Sequence, residues 1–184
     1  MKTVVYAGSF DPVTDGHMHV IETAARMFDR VIVMVATNPN KKYLFGNRGR
    51  VSCMEVAIKA IRLGNVDVVD IGDEMVVDMA DKYDAVAIIR GVRPGDMNEE
   101  MEMAWMNSGY LPSMKRIRKV PTVFIPSNRG VLLCRSSTIR HLLQMGDLEA
   151  ASGLMPVPFC DDPERILAYA PAVVGIAKKY RNKK

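Results

Sequence analysis

The sequence predicts an α/β protein built on a doubly wound sheet of five mainly parallel strands, followed by a helical tail. Two observations predict this fold class. Five short apolar runs are continuous rather than alternating, which is typical of strands buried on both faces of a parallel sheet. Between them lie stretches with the apolar spacing of amphipathic helices. Strands and helices in alternation favour a parallel sheet with helices on both faces.

The apolar runs place the five strands at residues 3–7, 30–36, 66–71, 84–89 and 121–125. The first two helices are predicted by apolar residues three or four positions apart: Met18, Ile21, Ala25 and Phe28, then Val51, Met54, Ile58 and Ile61. A proline-containing segment, 155–163, precedes a last helix over about 164–180. We expect one domain over residues 1–156, with 157–184 as its C-terminal helical extension.

The composition indicates an ordinary globular protein. The chain has 184 residues, of which 48% are hydrophobic and 25% are charged. Its apolar stretches are shorter than the roughly 20 residues that span a bilayer, and the opening residues lack the apolar segment of a signal peptide, so we expect a cytoplasmic protein without a membrane partner. Cys53, Cys134 and Cys160 are far apart, which favours reduced thiols over a disulfide framework or a zinc site.

The net charge of +4 is unevenly distributed. Nine of the 25 basic residues fall within two tracts, 115–119 and 178–184, and the rest of the chain is net acidic. Short basic tracts without interleaved aromatic residues are typical of solvated faces. We therefore expect no nucleic-acid partner.

The first candidate site follows the first strand, where a doubly wound sheet binds its ligands. The common phosphate-loop and dinucleotide motifs are absent, but residues 8–17 read G-S-F-D-P-V-T-D-G-H and end where the first helix starts. Unpaired N–H groups at such a helix start attract anions, so His17 is a candidate for stabilising a phosphate. The alternative is local: Asp15 caps the helix, Gly16 eases the turn and His17 has no further role. His19 and His141 are expected on helix surfaces.

Further candidates follow other strands. Lys41 comes after the second strand, although a solvated loop lysine is the simpler interpretation. Arg90 and Arg93 follow an apolar run directly, and Gly91 lets a phosphate approach the backbone closely. Hydroxyl residues begin a predicted helix after the last strand, where they either bind an anion or merely cap the helix: Ser136, Ser137 and Thr138.

These residues carry a resemblance. The opening motif resembles G-[ST]-F-D-P-x-T-x-G-H of the phosphopantetheine adenylyltransferases, a family within the nucleotidyltransferase superfamily marked by [HT]-x-G-H. Matches in the same order span residues 3–156: N-P-N-K-K at 38–42, V-D-M-A at 77–80, I-R-G-V-R at 89–93, E-M at 100–101, M-N at 106–107, S-S-T at 136–138 and G-D-L at 146–148.

The resemblance implies a Rossmann-like nucleotidyltransferase that moves AMP from Mg-ATP to 4′-phosphopantetheine, giving dephospho-coenzyme A and pyrophosphate. Mg²⁺ would enter through the ATP phosphates, without a protein metal site. It also implies a homo-oligomer, usually a hexamer, for which the methionine-rich helix 97–106 is a candidate contact surface. In-line attack on the α-phosphorus needs two positioned anions and charge stabilisation rather than a protein nucleophile.

Carried over residue by residue, the resemblance assigns roles. The catalytic residues would be His17, Lys41 and Arg90. The acceptor would be bound by Ser9, Lys41, Met75, Val76, Arg90, Met106 and Asn107. The nucleotide would be bound by Ser9, Phe10, His17, Gly91, Arg93, Glu100, Ser136, Ser137 and Thr138. For the methionines, packing in the core is the simpler interpretation.

Two alternatives remain open. The sequence departs from the family pattern at 46–49, at 94–96 and in a longer tail after 156, and residues 134–140 lean toward nicotinamide-mononucleotide adenylyltransferases and glycerol-phosphate cytidylyltransferases. A related acceptor is therefore one alternative, and a non-catalytic nucleotide-binding module is the other. Ser9, His17, Lys41 and Arg90 together favour an enzyme, and the T-x-G-H, I-R-G-x-R and M-N motifs favour phosphopantetheine as acceptor.

Overall fold

The computed structural model describes residues 1–107, 120–132 and 134–170 of the chain. The strands are β1 (Thr3–Gly8), β2 (Arg30–Ala36), β3 (Val66–Gly72), β4 (Ala87–Val92) and β5 (Thr122–Pro126). The helices are α1 (Asp15–Met27), α2 (Asn47–Ile61), α3 (Val76–Lys82), α4 (Met97–Asn107), α5 (Ser136–Met145), α6 (Leu148–Ser152) and α7 (Arg165–Tyr169). A 3₁₀ turn, Arg129–Val131, precedes α5.

The five strands form one parallel sheet in the order β3-β2-β1-β4-β5. β1 lies at the centre, where Val5 pairs with Ile32 of β2 on one side and with Ile88 of β4 on the other. The chain builds outward from β1 to β3 and then returns to β4, so the strand order reverses between β1 and β4. Ligands of such sheets bind beyond the carboxyl ends of the strands at this reversal. The predicted doubly wound, Rossmann-like sheet is confirmed.

The predicted position of β4 was wrong by three residues. The run at 84–89 was expected to form the strand, yet β4 begins at Ala87 and continues to Val92. Asp84 has a left-handed backbone with φ of 50°, and the Ala85 N–H donates to the Ala80 carbonyl, so this stretch still belongs to the turn that ends α3. Arg90 and Gly91 therefore lie within the strand, paired with β5, rather than after it.

Burial on both faces was predicted for every strand and holds for the central ones. β1 and β2 are buried along almost their whole length, whereas β3 and β5 at the sheet edges are largely half-exposed. On β3, Asp67 and Asp70 face solvent, and Asp67 pairs with Arg30 at 2.7 Å. An edge strand lies at the margin of the covering helices, which explains why its apolar runs are only partly buried.

Two apolar layers cover the sheet. The larger layer joins the β1 residues Val4 and Tyr6 to α1, α2 and α5, and the smaller joins Val5 and Ala7 to α3. Phe159 packs in the larger layer, so the described part of the C-terminal extension shares the main core.

The predicted last helix is observed only in part. α7 covers Arg165–Tyr169, and the rest of the predicted helix lies outside the described residues. Both basic tracts, 115–119 and 178–184, lie outside them as well. Within the described ranges, no helix is both long enough and apolar enough to cross a membrane.

Candidate active site

A cavity of about 520 Å³ lies at the carboxyl ends of the central strands. Its wall is formed by the residues that end β1, β2 and β4 and by the beginnings of α1 and α4. The parallel sheet brings these segments together because all of its strands end at the same edge. The predicted site residues that line the cavity are Ser9, Phe10, His17, Lys41, Val76, Arg90, Gly91, Arg93 and Glu100.

His17 is fixed in this wall by its own helix start. Thr14, rather than Asp15, caps α1, so the local alternative named the wrong residue. The Thr14 side chain accepts from the His17 N–H at 3.3 Å, and His17 Nδ1 accepts from the Thr14 N–H at 3.1 Å. This reciprocal arrangement is a capping box with histidine in the place of the usual Glu or Gln. An Nδ1 that accepts a hydrogen bond leaves the ring proton on Nε2.

The surroundings of His17 keep its ring neutral. Burial, together with the positive charge of Arg93, lowers the pKa of His17 to about 4. The Phe10 ring contacts it edge-on, with ring centroids 5.0 Å apart. At neutral pH the imidazole is therefore an uncharged donor through Nε2, held in one orientation beside the cavity.

The turn before α1 is compact because Phe10 folds back over β1. Phe10 has a left-handed backbone with φ of 48°, and its ring lies where a Gly8 side chain would be: a Cβ on Gly8 would lie 2.9 Å from the Phe10 ring. Only glycine leaves room for this contact. The turn is thereby pressed against the strand end, and Phe10 is buried against His17.

Asp11 ties this turn to the loop that carries Lys41. The buried Asp11 carboxylate accepts from the Leu44 N–H at 3.1 Å and from the Phe45 N–H at 2.8 Å. Arg140 of α5 donates to the Asp11 carbonyl at 2.6 Å. Lys41 itself is exposed at the cavity edge. The loop is therefore anchored while its lysine stays accessible.

Arg50 lies fully buried beneath the same wall and was missed as a site residue. Its guanidinium donates to the carbonyls of Ser9 and Ala36, at 2.7 Å each. It also donates to the side-chain oxygens of Thr37 and Asn47, at 2.7 and 2.9 Å. All four acceptors are uncharged, and together they join the ends of β1 and β2. A charged residue on the apolar face of a helix was the available signal, since Arg50 stands four positions before Met54.

The opposite wall consists of arginines paired with acids from the start of α4. Arg90 pairs with Glu100, and Arg93 Nε donates to Asp96 at 3.0 Å. Arg135 also reaches Asp96, at 3.5 Å. Asp96, the counter-charge of Arg93, thus comes from the segment 94–96, which departs from the family pattern. Gly91 lies between the two arginines, and a Cβ there would lie 2.8 Å from Val20 of α1, so glycine allows α1 to pack closely on β4.

Other predicted residues lie elsewhere. Met75 stands at the start of α3, 46% exposed, outside the cavity wall. Ser136, Ser137 and Thr138 do begin α5 as predicted, but they do not line the cavity, and Ser136 Oγ donates to the Pro12 carbonyl at 2.8 Å. Met106 and Asn107 end α4, and their side chains lie outside what the structure describes.

The cavity also contains polar residues that sequence reasoning did not assign. Thr37 and Asn38 follow β2, and Ser127 follows β5, each at the position where a strand end faces the ligand. Their position directly after predicted strands could have identified these three residues from the sequence. Tyr6 lines the cavity too, but it lies inside an apolar run that reads only as buried strand.

Within the described residues, no group of three or more His, Cys, Asp or Glu side chains is placed to hold a metal ion. The cavity instead presents cationic and neutral donors, which suit phosphate oxygens.

Comparison with known proteins identifies the class. Residues 5–142 match the cytidylyltransferase-like family model. Solved structures share the fold: a putative nicotinate-nucleotide adenylyltransferase from Vibrio parahaemolyticus has a TM-score of 0.59 at 17% identity, covering 90% of this chain and 93% of that one. A bifunctional NMN adenylyltransferase/ADP ribose pyrophosphatase from Francisella tularensis has a TM-score of 0.60 at 16% identity, covering 95% of this chain and 52% of that one. The protein is a nucleotidyltransferase.

Sequence relatives narrow the class. A phosphopantetheine adenylyltransferase from Brucella anthropi is 39% identical, covering 79% of this chain and 87% of its own. Phosphopantetheine adenylyltransferases from Brucella suis and Desulfatibacillum aliphaticivorans are each 37% identical, covering 86% and 79% of this chain and 93% and 78% of their own. The chain belongs to the phosphopantetheine adenylyltransferase family.

Proposed function

We propose that the protein transfers the adenylyl group of Mg-ATP to the phosphate of 4′-phosphopantetheine, forming dephospho-coenzyme A and pyrophosphate. One observation carries the proposal: a single cavity brings His17 together with Lys41, Arg90 and Arg93 from the ends of three different strands. A neutral donor among three cations suits a reaction between two phosphates. The names of the relatives support phosphopantetheine as the acceptor.

The reaction forms one bond and breaks one. An oxygen of the acceptor phosphate attacks the α-phosphorus of ATP, the bond from the α-phosphorus to the bridging oxygen breaks, and pyrophosphate leaves with that electron pair. A phosphomonoester has its second pKa near 6, so the attacking oxygen is already deprotonated at neutral pH. No general base is needed, and the enzyme's contribution is alignment and charge stabilisation.

Each residue has a corresponding task. His17 Nε2–H donates to an α-phosphate oxygen, where charge develops in the transition state. Lys41 and Arg90 hold the acceptor phosphate, with Ser9 beside it, and Arg93 takes the β,γ-phosphates. Arg90 and Arg93 are paired with Glu100 and Asp96, so the substrate phosphates compete with these carboxylates for the arginines.

The apolar part of the acceptor has a matching surface. Val76 at the start of α3 and Met103 of α4 both line the cavity. We assign the pantetheine arm to this side, while Phe10, Gly91 and Glu100 line the adenosine side. Ser136, Ser137 and Thr138 remain candidates for the outer phosphates at the start of α5.

The test is pyrophosphate release with ATP or CTP in the presence of Mg²⁺, with three acceptors: 4′-phosphopantetheine, nicotinamide mononucleotide and glycerol 3-phosphate. We expect strong preference for ATP with 4′-phosphopantetheine. Preference for another acceptor would overturn the acceptor assignment and leave nucleotidyl transfer intact. Absence of release with every pair would favour the non-catalytic module.

A matched pair of variants tests the cavity itself. Lys41→Ala removes a cation that lines the cavity, whereas Lys42→Ala removes an exposed neighbour that does not line it. We expect a large rise in the acceptor KM for the first variant and little change for the second. Equal effects would show that Lys41 has no specific role.

We also propose that the enzyme works as a homo-oligomer, with a hexamer as the expected form, in the cytoplasm. Met97 and Trp105 of α4 are exposed apolar residues outside the cavity wall, which supports α4 as a contact surface. Light scattering tests the assembly, and a stable monomer across micromolar concentrations would contradict it.

A further inference from the structure

Tyr6 presents an unused hydroxyl to the cavity. It lies in β1, is 6% exposed, and packs its ring edge-on against Phe10 with centroids 5.4 Å apart. Among the described residues its Oη forms no hydrogen bond, and it is not one of the polar atoms sealed from solvent. Buried phenol hydroxyls almost always have a partner. An unpartnered hydroxyl on a cavity wall therefore indicates a group that bonds to a ligand.

The hydroxyl acts as a donor. Burial raises the pKa of Tyr6 far above its usual range, and the nearby charges of Arg90 and Arg93 only partly oppose this effect. The phenol therefore keeps its proton at every pH at which the enzyme works. The matching ligand atom is an acceptor, such as a phosphate or ribose oxygen.

The position of Tyr6 indicates that its hydroxyl binds the nucleotide rather than the acceptor substrate. Successive side chains of a strand point to opposite faces of the sheet. Tyr6 belongs to the face that α1 covers, together with Phe10, whereas Val76 packs with Ala7 on the opposite face. Tyr6 Oη also lies 3.6 Å from the point where a Gly91 side chain would begin. Phe10 and Gly91 both belong to the adenosine side.

We propose that Tyr6 is a further nucleotide-binding residue, whose hydroxyl donates a hydrogen bond to an oxygen of ATP. The proposal rests on the assignment of the α1 face to the nucleotide. It does not depend on which acceptor the enzyme uses. It also gives this buried, cavity-lining hydroxyl a hydrogen-bond partner, which packing in the core does not supply.

Tyr6→Phe tests the proposal because phenylalanine keeps the ring and its contact with Phe10. We expect the dissociation constant of ATP, measured by calorimetry without acceptor, to rise roughly 5- to 20-fold, while the KM of the acceptor changes less than about twofold. Tyr83→Phe is the matched control, because Tyr83 is a partly buried tyrosine outside the cavity wall. Thermal unfolding of both variants checks that they fold.

Two ATP analogues show which oxygen of ATP accepts the hydrogen bond from Tyr6. If the Tyr6 hydroxyl donates to a ribose hydroxyl, Tyr6→Phe should not weaken binding of the analogue that lacks this hydroxyl, which is either 2′-deoxy-ATP or 3′-deoxy-ATP. If the hydroxyl donates to a phosphate oxygen, the variant should bind both analogues more weakly than the wild type does, by the same factor as for ATP. Unchanged ATP affinity, or a change confined to the acceptor KM, would overturn the proposal. ATP binding is measured alone, so failure of the phosphopantetheine assignment would leave this result interpretable.

Discussion

The two walls of the cavity are held in different ways. The β1 wall, residues 8–17 and 36–50, is built mainly from hydrogen bonds to backbone or uncharged groups, as with Arg50 on the Ser9 and Ala36 carbonyls, and its Asp11 also pairs with Arg140 at 3.7 Å. The β4 wall, residues 90–100, is held by ion pairs, Arg90 with Glu100 and Asp96 with both Arg93 and Arg135. In the first wall Arg50 and Asp11 are committed to the fold and hold His17 and Lys41 at the cavity, whereas the arginines of the second wall are paired with replaceable carboxylates.

This difference has a chemical consequence. A phosphate cannot replace the bonds that Arg50 makes to the strand ends, but it competes directly with a carboxylate for an arginine. We therefore expect the β1 wall to be preorganised around the α-phosphate of the proposed reaction, and the β4 wall to exchange its partners when substrate binds. Preorganised donors contribute most where charge develops in the transition state.

The largest expected effect is on catalysis at the β1 wall. His17→Ala should lower kcat by roughly 10² to 10³, because it removes one preorganised donor to the α-phosphate. ATP affinity should change little, since the remaining phosphate donors stay in place. Steady-state rates under conditions where chemistry is limiting, together with ATP titrations, measure both quantities.

The control for this variant is His141→Ala, which removes an exposed histidine of α5. It should leave kcat unchanged. If His17→Ala retained near wild-type turnover, the role assigned to His17 would be wrong.

The next largest effect is on stability. Arg50→Met should lower the free energy of unfolding by about 3 kcal/mol, because it removes a buried guanidinium whose hydrogen bonds to four oxygen acceptors join the ends of β1 and β2. Urea denaturation measures the change. Arg48→Met, on the same helix but exposed, should change it by less than about 0.5 kcal/mol. A loss for Arg50→Met as small as that of the control would show that the β1 wall does not depend on the buried guanidinium.

The pH dependence of stability follows from the neutral His17. In the unfolded chain His17 binds a proton below about pH 6.5, whereas in the folded protein its pKa is about 4. Acid therefore favours the unfolded state: the stability is present above pH 6.5 and is lost as the pH falls toward 4. As the pH falls from 8 to 5, the titration of His17 should lower the free energy of unfolding by about 2 kcal/mol.

His17→Gln isolates that contribution, because glutamine does not titrate. Urea denaturation of both proteins across this pH range should show the wild type losing about 2 kcal/mol more than the variant. Parallel pH profiles would mean that His17 is protonated equally in the folded and unfolded states.

The sequence predicted the β1 wall better than the β4 wall. Residues 8–17 form a local motif whose turn and helix start depend on neighbours in sequence, so the position of His17 followed directly. Arg90 and Gly91 were placed after a strand that in fact contains them, because apolar content alone could not separate the end of α3 from the start of β4. Their carboxylate partners come from α4, and no local pattern specifies which acid meets which arginine.

Other features could not be predicted from the sequence because they depend on contacts between distant segments. The departures at 46–49 and in the C-terminal extension are far apart in the sequence, yet a Cβ on Gly49 would overlap the Tyr169 carbonyl of α7. Glycine at 49 leaves room for the extension to pack against the start of α2, one residue from Arg50. Likewise, Tyr6 looked like ordinary strand core, since an apolar run does not reveal which of its side chains lines a cavity.

The smallest expected effect tests whether the β4 wall really exchanges partners. Asp96→Asn removes the carboxylate that pairs with Arg93 and keeps a side chain of the same shape. Partly exposed ion pairs contribute little, so the free energy of unfolding should change by less than about 1 kcal/mol. ATP should bind a few-fold more tightly, since its phosphates no longer compete with Asp96. Calorimetry at low and high salt measures this gain, which should shrink as salt screens the charges.

Asp162→Asn is the matched control, because Asp162 also pairs with an arginine three residues away, Arg165, but outside the cavity wall. It should leave ATP affinity unchanged. Weaker ATP binding by Asp96→Asn alone would mean that Asp96 orients Arg93 for the phosphates rather than competing with them. In that case the β4 wall would be preorganised like the β1 wall, and the contrast between the two walls would not hold.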